Sequence, residues 1–154
     1  MTVIAEQVST VQVIGRQEPV ARRGGIAAAT LRAAAAGSVV ALVAAGAARA
    51  LDVPMRVAVG AGEPAELIPA WGYLSLVLPA TVLGGVLAAA ARRFTARPAR
   101  AFCVVATVMT LVSLAMPLTT QHATVATQVA LEVIHVLVAL AVVPILARRL
   151  PTRS

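Results

Sequence analysis

Two ionisable side chains, Glu132 and His135, stand inside the most apolar stretch of the chain, Val129 to Ala147. A carboxylic acid three residues before an imidazole lies on the same face of a helix, where residues three and four apart are neighbours. Such a pair can exchange a proton, bridge helices by hydrogen bonds, or supply the Glu-x-x-His unit that di-iron helix bundles repeat. Gln128 and Thr124 continue the face at four-residue steps, so a polar stripe is expected from one end of this helix to its middle.

The elements that must position the stripe are set by hydrophobicity. The 154 residues are 60% hydrophobic and 12% charged, with mean hydropathy +0.90, whereas soluble domains are about 25% charged. That excludes a soluble globule. The expected fold is all-α, a polytopic membrane protein of four transmembrane helices in a compact bundle, with spans at about 26–48, 67–91, 101–118 and 127–147, each near the roughly 20 residues that cross a bilayer. Residues 1–24 read as a flexible cytoplasmic tail, 25–150 as the bundle and 151–154 as a second cytoplasmic tail. Val11 and Val13 alternate as in a strand, but a lone strand has no partner.

The start of the first span is blurred by Arg32, which is read as snorkelling to the cytoplasmic headgroups. Ala33, Gly37, Ala41 and Ala45 recur every four residues and form a helix-packing face on which a neighbouring backbone can approach closely. Arg22 and Arg23 before an apolar run, with the small-x-small form of Ala48-Arg49-Ala50, resemble a signal peptide. The run exceeds the 7 to 15 residues of a typical h-region, so an uncleaved span is expected.

An extramembrane loop, Arg49 to Glu66, leads to the second span, where Trp71 and Tyr73 belong at headgroup level and Pro79 should bend the helix. Thr107, Thr110 and Ser113 share a face of the third span, which Pro117 closes. His122, in the following loop, is given no role. Cys103, in the third span, is the single cysteine and allows no intrachain disulfide.

All thirteen basic residues are arginine. Ten fall on one side: Arg16, Arg22, Arg23, Arg92, Arg93, Arg97, Arg100, Arg148, Arg149 and Arg153; only Arg49 and Arg56 fall on the other. By the positive-inside rule both termini and the loop around Arg97 are cytoplasmic, in a plasma (inner) membrane. The formal charge of +7 therefore reflects topology, and no nucleic-acid partner is expected, because the arginines are not interleaved with aromatics on a soluble face.

With that orientation Glu132 lies roughly 22 Å, and His135 about 18 Å, from the cytoplasmic end of the fourth span. A charge at such depth must face protein or water. Ser113, Thr110 and Tyr73 come near the same level and are candidate hydrogen-bond partners of Glu132 and His135; Arg49 is the nearest cation above. Three readings of the pair stay open. Glu132 is protonated and bridges helices with His135; or the pair is part of a proton or substrate pathway; or it is half of a metal or haem site completed by a second copy. The other spans offer no second Glu-x-x-His unit, so neither metal nor cofactor is expected. No catalytic triad, phosphate-binding glycine loop or cysteine cluster is present in the sequence, which argues against an enzyme.

The run Ser113-Leu-Ala-Met-Pro117-Leu118, His135 midway along the fourth span, Pro144, and the closing Ala147-Arg-Arg-Leu-Pro151 resemble an uncharacterised group of actinobacterial four-helix membrane proteins, a domain of unknown function. The resemblance covers about Gly25 to Pro151. It implies a four-span fold and no activity; it lends weight to His135, while Glu132 and Arg32 have no matched place in its pattern. The functional expectation is a non-enzymatic accessory or partner subunit, in contact with the bilayer and with a second copy or another membrane protein. The alternative is a small proton-linked transporter or permeation unit using Glu132 and His135.

Overall fold

The computed structural model describes residues 25–58, 63–115 and 123–151. They form four helices, α1 Ile26–Ala50, α2 Ala70–Phe94, α3 Pro98–Ser113 and α4 Val125–Ala147. Two two-residue strands, β1 Arg56–Val57 and β2 Glu66–Leu67, pair antiparallel between α1 and α2. The N-terminal tail, Pro117 and His122 lie outside the described residues.

Local chemistry explains the boundaries. Alanine, the best helix former, dominates α1. Its end is a Schellman motif: Asp52 N–H donates to the Arg49 carbonyl at 3.0 Å and Val53 N–H to the Ala48 carbonyl at 3.1 Å. Asp52 takes the left-handed conformation this requires, with φ 60°. Pro69 disfavours helix at Ile68 and is itself the extended N-cap of α2. Leu67 is therefore a strand residue, and the second helix begins at Ala70 rather than at 67. Pro98 stands in the first turn of α3, where its missing N–H costs nothing. Thr124 caps α4, its hydroxyl accepting from the Thr127 N–H at 3.2 Å.

α1, α2 and α4, at 25, 25 and 23 residues, are long and apolar enough to cross a membrane; α3, at 16, is a shorter apolar helix. At 1.5 Å per residue α3 reaches about 24 Å, against roughly 30 Å of hydrocarbon. α1 packs on α2 and α4, and α3 on the same two, so α1 and α3 occupy opposite corners.

Consecutive helices run antiparallel, as two buried clusters show. One joins the start of α1 (Ala29, Ala33), the end of α2 (Ala88, Ala91), the start of α3 (Phe102) and the end of α4 (Val142, Leu146), closed below by Leu150. The other joins the end of α1 (Ala41, Ala45), the start of α2 (Tyr73, Val77), Ile134 of α4 and the loop residue Met55. Glycine is required where side chains of neighbouring helices press on the backbone. A Cβ on Gly37 would stand 2.9 Å from Val142 Cγ2 and 3.2 Å from Val77 Cγ1, and one on Gly85 would stand 2.9 Å from Thr30 Cγ2.

Candidate functional site

The rotation of α4 about its axis decides which polar residues of the stripe look inward. Thr127, Ile134, Val142 and Leu146 are its buried residues. His135 follows Ile134 by one residue, about 100° round the helix, whereas Glu132 precedes it by two, about 160° away. Both are half-buried, as is Gln128, while Thr124 is exposed. The stripe thus winds from the bundle interior toward the edge of the α3–α4 seam.

His135 meets α3 there. Its Nε2 lies 2.6 Å from Ser113 Oγ, which also lies 2.8 Å from the Thr110 carbonyl. A serine hydroxyl has one proton to give. In the tautomer that carries hydrogen on Nε2 the imidazole donates to Ser113, and in the other Ser113 donates to Nε2; either way this contact leaves Nδ1 as the ring's second site.

Other hydroxyls in the bundle serve their own helices. Thr110 donates to the Ala106 carbonyl at 2.8 Å, buried Thr81 to the Val77 carbonyl at 2.7 Å, and Thr30 to the Ile26 carbonyl at 2.9 Å. Thr124 donates to Thr127 Oγ1 at 3.0 Å within α4. Ser113 differs from these in reaching across to a second helix.

Glu132 has no hydrogen bond or ion pair among the described residues, and none joins it to His135, whose ring is turned to α3. Arg49 does not reach it either: its guanidinium donates to the Ile68 carbonyl and lies over the Tyr73 ring, 6.0 Å from the centroid. Tyr73 is buried between α1 and α4, and its hydroxyl finds no hydrogen-bond partner among the described residues. Of the six polar residues expected to meet, the structure links Thr110, Ser113 and His135 in one chain and places Tyr73 in a neighbouring cluster.

The small-residue face is used inside the chain. Ala33, Gly37, Ala41 and Ala45 are buried with Ala29 along α1, against α2 and α4, while Arg32 is exposed. No group of three or more metal-ligating side chains occurs among the described residues. The Met55 insertion has no signal in the sequence beyond an apolar residue in a polar loop; it is fully buried at φ 47° and its carbonyl accepts from Ile68 N–H at 3.0 Å.

Among known proteins, a family model described as a family of unknown function (DUF6069) matches residues 20–152. No curated protein and no solved structure matches the chain.

Proposed function

The chain belongs to the DUF6069 family of unknown function, and from that premise we propose a four-span plasma-membrane protein, both termini cytoplasmic, that serves as a non-enzymatic accessory or partner subunit. The arginine-only basic complement and abundant alanine fit the GC-rich genome of an actinobacterium, the source we infer. Three helices are long enough to cross, and the shorter apolar α3 supplies the fourth crossing in this reading. Reporter fusions at Arg97 and at the C terminus should both report the cytoplasmic side.

The observation that carries the subunit reading is the way α3 is held. Pro98 and Phe102 are buried at its start, but Val104, Val108, Leu111 and Val112 are exposed. An apolar ridge on a helix anchored at one end suits a second transmembrane chain. A photo-crosslinking residue at Val108 should capture a second polypeptide in native membranes, and one at Leu83 on α2 should not. Lipid adducts alone at both positions would sink the proposal.

A specific observation favours the second reading, proton-linked transport: Glu132 stands half-buried with no hydrogen bond or ion pair among the described residues, one turn from an imidazole whose Nδ1 is outside the Ser113 bond. A carboxyl in that position can bind and release a proton or a cationic substrate as access changes. Glu132→Gln keeps the shape and removes titration. It should abolish proton flux in vesicles while leaving the protein folded; flux equal to that of the parent counts against coupling.

A further inference from the structure

Six arginines meet at one end of the bundle: Arg92 and Arg93 in the last turn of α2, Arg97 and Arg100 bracketing the start of α3, and Arg148 and Arg149 after α4. Leu150, the next residue, is buried in the same cluster as Phe102, Ala29 and Ala91, which keeps Arg148 and Arg149 at this end of the bundle. All six are exposed, and none has an ion pair among the described residues. No Asp or Glu lies between Leu67 and Leu131 or between Val133 and Ser154, so this end lacks a carboxylate in its helices and its turn. Phe94 stands among the arginines with 79% of its surface exposed, Arg93 lying over its ring at 6.0 Å. Val82 and Val86, farther from the charges along α2, are exposed and apolar.

We propose that this end binds the phosphate headgroups of anionic phospholipids. The positive-inside bias accounts for the sign of charge on this side. It does not require the helix ends and the α2–α3 turn on this side to be free of Asp and Glu. Guanidinium groups pair with phosphate in a two-pronged geometry, while the exposed Phe94 ring and the apolar flank beside it suit acyl chains. A soluble phosphate would use the first of these features and neither of the others. The inference rests on the membrane-spanning reading.

The test is native mass spectrometry of the full chain, released in mild detergent and offered equal amounts of phosphatidylglycerol and phosphatidylcholine. Phosphatidylglycerol should be retained selectively, and inorganic phosphate at the same concentration should not displace it. Near an anionic surface each arginine changes partition roughly fivefold, so Arg97→Gln with Arg100→Gln should cut the preference by more than tenfold. Arg49→Gln with Arg56→Gln, at the opposite end, should leave it unchanged. Should the double variant at the turn fail to fold, Arg97→Gln alone should still lower the preference severalfold. Equal retention of the two lipids, a preference that survives the turn substitutions, or displacement by inorganic phosphate overturns the lipid site. A chain that stays dispersed without detergent overturns the spanning reading instead.

Discussion

The two ends of the bundle are built differently. At the arginine-rich end all four helices contribute to one cluster, with Phe102 at its centre and alanines on α1 and α2 letting the backbones close round it. At the other end the cluster draws on α1, α2 and α4, and Met55 from the loop takes a place in it; α3 contributes nothing to it. Small residues explain the first arrangement, because they let neighbouring helices approach closely. At the end to which α3 adds no buried side chain stand the polar groups: the Ser113–His135 bond, the buried Tyr73 hydroxyl and Arg49 over its ring. One end joins all four helices; the other joins three of them and the loop residue Met55.

Removing Phe102 should break that contrast most strongly. The ring is 1% exposed and touches helices on both sides, and truncating a buried phenylalanine to alanine costs about 3–5 kcal/mol. Phe102→Ala should lower the thermal midpoint in detergent by more than any single truncation at the opposite end, Met55→Ala included. Equal losses at the two ends would mean that α3 is held as firmly along its length as at its start.

Gly85→Ala comes next. Its new methyl would meet the Thr30 side chain, Cγ2 at 2.9 Å and Cβ at 3.2 Å. Thr30 is branched at Cβ and its hydroxyl is bonded to the Ile26 carbonyl, so it turns aside poorly. The expected loss is about 1–3 kcal/mol, the usual cost of overpacking, measured by the same unfolding assay. Gly46→Ala, where a Cβ meets nothing within 4 Å, is the control and should be neutral or slightly stabilising.

The sequence made the helical, membrane-like class legible, since length and hydropathy identify long apolar helices without reference to their neighbours. Spacing likewise marked Ala33, Gly37, Ala41 and Ala45 as one face of α1, and the structure spends that face on α2 and α4. Rise per residue brought Ser113 and His135 to a common level. It could not say whether Glu132 or His135 would face α3, because that depends on a rotation of α4 set by the burial of Thr127, Ile134 and Leu146. The ends were harder to read. Hydropathy runs through Leu67 into the second helix, but Pro69 defers the helix to Ala70 and Leu67 pairs with Arg56. The inward turn of Met55 follows from a left-handed backbone and a strand ladder that no local pattern announces.

The smallest effect bears most directly on the site. Ser113→Ala removes the hydroxyl that bonds His135 Nε2 and lies in hydrogen-bond reach of the Thr110 carbonyl. Hydrogen bonds between membrane helices average about 0.6 kcal/mol, so the global midpoint should scarcely move. The local consequence should be larger, because beyond Phe102 the helix keeps few buried side chains to hold it. Amide hydrogen exchange should quicken over residues 107–113 and stay unchanged over residues 99–103, where Phe102 anchors the helix. Exchange that quickens evenly along α3 would show its two halves to be one unit. Exchange unchanged throughout would mean that the Ser113–His135 bond leaves the position of α3 alone, and His135 would then be held for its own chemistry and not for packing.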